Sequence, residues 1–186
     1  SNVTNMNSMF RGSNFNQPLN NWDVSNVIGM VGMFAGSFYN QPLNDWDVSN
    51  VTNMNSMFLG SVFNQPLNNW DVSSVDGYSF DDMFANSAFN QDISSWEFTV
   101  SYLDEFIENS GMDSQNYDLL LGRFVQLGLE NGYLDADGIA YCDVFTRQIL
   151  IDDLGWVIDN DDLFDDCNIN YISGNVRLDE DNNGCD

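Results

Sequence analysis

Apolar residues recur along the first half of the chain in a fixed order: Leu19, Trp22 and Val24, then Val27, Met30, Met33 and Phe34. The first three have the L-x-x-L-x-L spacing of a short strand in a repeat coil, and the last four, at i, i+3, i+6 and i+7, share one face of a short helix. Ser25 or Asn26 suits the cap of that helix and Gly36 its end. The order then starts again. Trp22, Trp46, Trp70 and Trp96 are spaced 24, 24 and 26 residues apart, and Pro18, Pro42 and Pro66 keep the 24-residue step. "SNVTNMNSMF" at Ser1–Phe10 returns unchanged at Ser49–Phe58, and "FNQPLNNWDVS" at Phe15–Ser25 returns at Phe63–Ser73.

A unit this short cannot bury its apolar face alone, so the units must stack. The pattern therefore predicts an α/β repeat solenoid of leucine-rich-repeat-like coils, each a short parallel strand plus a short helix with a 24-residue period. The coils are expected to be right-handed, as strand–helix–strand connections are. The Trp series is either core filler or an exposed platform for sugar rings, and strand alternation favours the core. Asn16, Asn40, Asn64 and Asn90, each followed by a Gln, hold fixed repeat positions. Stacked amides there can satisfy backbone groups that have no helix or sheet partner. The fourth unit is looser: it carries two extra residues around Asp76–Tyr78, as expected of a terminal repeat.

From Ser101 the period is lost. Leu103, Phe106 and Ile107 suggest a helix ended by Gly111, a second helix starts at Asp113, a third covers about 143–153, and "GWVID" reads as a strand. The expected organisation is a repeat region over 1–98, an acidic helical C-terminal cap over 99–171, and the start of a following module or a tail at 172–186.

Charge sharpens this division. The 186 residues carry 29 acids, four basic residues and no His, for a net charge of −25. Eight acids and one Arg precede Glu97, and the rest follow from there. Such a surface excludes nucleic acid and anionic membranes as partners and leaves cations, basic surfaces or neutral ligands. No apolar run reaches the ~20 residues of a membrane-spanning helix. Without His, neither a His-dependent triad nor the commonest general base can be assembled, so no enzymatic role is expected and no cofactor is required.

Candidate chemistry lies in four places. Asp23, Asp47, Asp71 and Glu97 each follow a repeat Trp and are expected on the outer strand face, as a ligand-binding ladder for a cation, a basic partner or a glycan. The competing reading is local bonding to Ser25, Ser49 and Ser73. Cys142 and Cys167 lack the spacing of a zinc site and are expected to form a disulfide, closing a loop worth roughly 3 kcal/mol in chain entropy. That pairing points to an oxidising compartment. Asp179, Asp181 and Asn183, with Gly184, fit the first half of a calcium loop. "DADG" at Asp135–Gly138 and the run Asp159–Asp166 are weaker calcium candidates that also read as solvated acidic loops.

The phrase "WDVSNVTNMNSMF", followed by "FNQPL", closely resembles the repeat of BspA-like leucine-rich-repeat surface proteins, and "FNQDISSW" reinforces the likeness. "NYDLLL", "LDADGIAYC" and "RQILIDDLGWVI" resemble the region that ends such arrays, to about residue 168. The last fifteen residues are similar to the opening of calcium-binding β-sandwich repeats of cell-surface adhesins. The resemblance implies a secreted or cell-surface-attached module of a longer multidomain chain. Its role would be adhesion to a glycan or protein on another cell surface, or display of other modules as a spacer. It carries over no functional residue.

Overall fold

Alternate backbone amides in the repeat region bond in different directions, and this division organises the first hundred residues. In the computed structural model, which describes residues 2–165 and 167, the N–H groups of Met6, Ser8, Phe10 and Gly12 donate to Gly29, Val31, Met33 and Ala35 of the next repeat at 2.8–2.9 Å. The intervening N–H groups of Met9, Arg11 and Ser13 donate three residues back, to Met6, Ser8 and Phe10, at 3.0–3.2 Å. The same two sets recur from Met30 and from Met54. Every second amide thus closes a turn and the others tie one repeat to the next, which leaves few buried backbone groups unpaired.

This arrangement overturns the expected α/β solenoid of strand-plus-helix coils. Among the described residues the helices are α1 (Ser114–Leu127) and α2 (Val144–Asp152), both beyond the repeats. The strands are β1 (Tyr102–Leu103), β2 (Tyr133–Asp135), β3 (Ala140–Tyr141), β4 (Val157–Asp159) and β5 (Asp162–Leu163), and none lies in the repeats either. Residues 2–101 hold only turns, extended segments and isolated bridges. No helix forms at Val27–Phe34 because a left-handed residue sits in its middle: Gly32 has φ 57°, and Ser8, Ser56 and Asp82 at equivalent positions have φ 55°, 54° and 57°. One such residue per turn breaks a right-handed helix. No leucine-rich strand forms at Leu19–Val24 because Leu19 closes a turn with the Trp22 N–H. The same carbonyl also accepts the Trp46 indole N–H at 3.0 Å.

Packing follows the same stacking. Phe10, Phe34, Phe58 and Phe84 form a column of near-parallel rings with centroids 5.5–5.6 Å apart. A second column, Phe15, Tyr39, Phe63 and Phe89, is spaced 6.3–6.5 Å and leans on the first. Trp46, Trp70 and Trp96 are buried, each donating its indole N–H to the Leu carbonyl one repeat back, while Trp22 is 40 % exposed. Three of the four repeat Trp residues are therefore core rather than platform. Outside the rings, the Asn40, Asn64 and Asn90 N–H groups donate to the side-chain oxygens of Asn16, Asn40 and Asn64, each at 2.9 Å.

The last rung of this amide ladder hands over to the acidic half. Asn90 accepts from the Asp113 N–H, and Asp113 in turn caps α1 by accepting from the Asn116 N–H. α1 buries Tyr117, Leu120, Leu121 and Phe124, with Phe124 packed between Phe98 and Trp156. The predicted helix around Leu103 is absent: β1 and turns occupy that stretch, with left-handed Glu105 and Asn109 at φ 50° and 48°. Parallel strands form two small sheets, ordered β1-β2-β4 and β3-β5. Arg147 holds the buried Asp161 through two nitrogens, and Tyr117 donates to the same carboxylate. Cys142 and Cys167 are joined in a disulfide beside this pair of strands.

Asn64 carries two bonds of the ladder, accepting from the Asn90 N–H and the Gln91 amide. Asn64→Ala should lower stability by about 1–3 kcal/mol, since partly buried donors are left unpaired. Asn20→Ala, on an exposed position, should change it by less than about 0.5 kcal/mol. Urea denaturation followed by tryptophan fluorescence reads both.

Candidate functional site

One rung of the molecule can be followed from the first repeat into the acidic half. Bridges pair Asn5 with Gly29 and Gly29 with Asn53. The bond from the Met54 N–H to Ser79 carries the register on, and the Asp82 N–H to Asp104 bond sets Ser79 beside Tyr102. Tyr102 pairs with Tyr133, and Tyr133 with Val157, in the β1-β2-β4 sheet. The middle residue of each rung, Met6, Met30, Met54, Phe80, Leu103, Leu134 or Ile158, points into the core. Its two neighbours face outward, because side chains alternate along an extended segment, except Ser79, which is buried.

Those outward positions change character along the molecule. In the first three layers they hold Asn5 and Asn7, Gly29 and Val31, then Asn53 and Asn55. In the last four they hold Ser79 and Asp81, Tyr102 and Asp104, Tyr133 and Asp135, then Val157 and Asp159. The result is an aromatic row beside an acidic row on the outer face of the sheet. Tyr78 extends the aromatic row, meeting Tyr102 edge-on at 4.7 Å, and Tyr102 stacks on Tyr133 at 5.3 Å. Tyr78 is 64 % exposed, Tyr102 38 % and Val157 52 %.

The acidic row is crowded. Burial, then Asp104 and Asp82, push the Asp81 carboxyl up to about 6, and one of its oxygens is shielded from solvent with no hydrogen-bond partner. Glu105, bonded to Asp82 one layer away, is pushed up to about 7. Partial burial and the neighbouring Asp104 and Asp81 carboxylates raise the Tyr102 phenol, and burial with Asp135 and Asp159 does the same for Tyr133. Asp135 and Asp159 lie directly opposite in register, a like-charge pairing that opposes folding. Among the described residues, no group of three ligand-type side chains converges to hold a metal ion. The ion pairs there join Arg123 to Glu97 and Arg147 to Asp161, and Arg147 also reaches the Ile158 carbonyl of β4.

The residues singled out from sequence fall elsewhere. Asp23, Asp47 and Asp71 each accept from the N–H and hydroxyl of Ser25, Ser49 and Ser73, the hydroxyl bonds all 2.6 Å. The Ser25 hydroxyl holds Asp23 down to about 2, and Ser73 lowers Asp71. Glu97 pairs with Arg123 of α1, whose Nε also donates to the Trp96 carbonyl. Asp179, Asp181 and Asn183 lie outside the described residues. A shallow groove lined by Thr4, Asn26, Ile28, Asn50 and Thr52 crosses the first three repeats and is open to solvent.

The aromatic–acidic face escaped the sequence reading, although a signal for it exists. "YLD" occurs at Tyr102–Asp104 and again at Tyr133–Asp135, with "VID" at Val157–Asp159 and "SFD" at Ser79–Asp81. These phrases replace "NMN" on the same rung. Their spacings are irregular, so a fixed 24-residue frame passes over them. The pair Leu129 and Trp156 was missed in the same way: the Trp156 indole donates to the Leu129 carbonyl across the 27 residues that also separate Leu19 from Trp46.

Because its folded value lies above the ordinary 3.8, Asp81 favours the fold only while protonated. That contribution is full below about pH 4 and is lost as pH rises through about 6. Asp81→Asn should match the parent in thermal unfolding at pH 4 and melt a few degrees higher at pH 7, as scanning calorimetry across that range would show.

Residues 1–96, and in a second overlapping match residues 37–114, fit the family described as Mycoplasma protein of unknown function, DUF285. No curated protein matches the chain, and no solved structure does. With more than half its length matched by the family's pattern, the chain belongs to the DUF285 family.

Proposed function

We propose that this chain is a non-enzymatic recognition module that works outside the cell as part of a surface protein. It grips a glycan or protein partner through the uncovered face of the β1-β2-β4 sheet. The observation that carries this reading is the change of residues along one rung. The first three layers fold with Asn, Gly and Val at the outward positions, so the backbone there needs neither tyrosine nor carboxylate. The later layers nevertheless spend exposed aromatic area and like-charge repulsion on the same positions. Exposed aromatics with convergent polar groups suit a binding surface better than a spacer.

Other observations support the setting. The family match and the disulfide fit a surface protein in an oxidising compartment. Among the described residues no helix is long and apolar enough to cross a membrane. A chain with no His offers no ready general base, which favours binding over catalysis. The competing role, a spacer that displays other modules, draws on the regular stacking of the first three repeats.

A labelled preparation of the whole chain, tested on cells and on a glycan array, examines this reading: saturable binding supports it, and no binding to any surface refutes it. The combined Asp23→Asn, Asp47→Asn, Asp71→Asn and Glu97→Gln variant should melt several degrees lower yet bind as before, because these carboxylates serve local turns and α1. Loss of binding with stability unchanged would move the site to that ladder.

A further inference from the structure

We infer that the partner taken by the β1-β2-β4 face is a basic, extended protein segment, with lysine or arginine side chains laid across the Tyr78, Tyr102 and Tyr133 rings and paired with Asp81, Asp104, Asp135 and Asp159. This deepens the recognition role proposed above and rests on it.

Charge complementarity chooses the occupant. The face sets four carboxylates in one register beside three tyrosines, while the basic side chains of the described residues are engaged elsewhere or at its edge: Arg11 beside Gly32, Arg123 on Glu97 and the Trp96 carbonyl, and Arg147 on Asp161 and the Ile158 carbonyl. A neutral sugar would use the rings but leave the carboxylate crowding untouched. A cation answers both features: it is attracted to the ring faces and relieves the repulsion of the row.

Spacing agrees with an extended chain. Layers about 4.8 Å apart give a four-carboxylate row about 14 Å long. An extended peptide presents same-side residues about 6.8 Å apart, so two or three basic side chains span the row. The alternate side chains of such a segment would point away and need no particular chemistry.

The probe is a labelled nonapeptide of alternating lysine and threonine, with glutamine replacing lysine in the control, followed by fluorescence anisotropy at low ionic strength. The full chain should bind the lysine peptide and not the glutamine one. Tyr78→Ala with Tyr102→Ala should weaken binding about tenfold, the size of two exposed cation–ring contacts, and Tyr102→Phe should keep it. Asp104→Asn with Asp135→Asn should weaken it about tenfold. Asn is already tolerated at that outward position in Asn7 and Asn55, so this variant keeps its fold, as circular dichroism would verify. Asp45→Asn with Asp152→Asn removes the same charge from exposed positions elsewhere and should weaken binding less than twofold.

Equal weakening by the two charge pairs would reduce the effect to net charge and overturn the assignment. So would tyrosine-independent binding, or displacement of the peptide by neutral maltoheptaose. Cell binding is read separately: a chain that binds cells but is not displaced by the lysine peptide loses this partner and keeps its recognition role, whereas a chain that binds no surface loses the role itself.

Discussion

The alternation of backbone amides between closing a turn and reaching the next repeat is the constraint on which the rest depends. A strand would send both its N–H and C=O sets sideways to neighbours, and a helix would keep both within itself. Here each repeat divides them, so the same short segment is curled into turns and tied to the layers on either side. Every later feature uses that tie. The rings stack because the backbones stack, and the indole N–H of each buried Trp finds the carbonyl that the turn at Leu exposes. The amide ladder does the same for the loops that precede each Leu.

Left-handed residues are what make this division work. Ser8 and Gly12, Gly32 and Gly36, Ser56 and Gly60, and Asp82 and Asn86 recur in pairs four residues apart. At Ser8, Ser56 and Asp82 the side chain opposes the conformation by about 1 kcal/mol each, and the inter-repeat bonds on either side hold it. The same layer spacing sets Asp81 beside Asp104 and Glu105 beside Asp82, so two strongly raised carboxyls lie where the fourth repeat meets the acidic half.

The acidic half continues the stack while changing its outer surface. β1, β2 and β4 lie on the rung that begins at Asn5, and α1 begins where the Asn90 ladder ends at Asp113. The face that results is a consequence of two residues per rung being free to vary once the middle residue is fixed in the core. The fold therefore restricts the buried column and leaves the outward rows to chemistry.

From the sequence alone came the period, the fixed amide and Trp positions, the helix starts near Asp113 and Asp143, and the pairing of Cys142 with Cys167, because each depends on local spacing or on the few residues able to play the part. The helix expected at Val27–Phe34 and the strand expected at Leu19–Val24 do not form: apolar spacing of three and four also fits a chain of turns, and a left-handed Ser or Asp has no distinctive letter. The aromatic–acidic face was written in "YLD" and "VID" but could not be assembled from them. Three phrases separated by 31 and 24 residues, with a helix inserted between two and another before the third, become neighbours only when parallel pairing aligns them. Tertiary structure decided that alignment, because register between distant strands is set by which middle residue must be buried and not by distance along the chain.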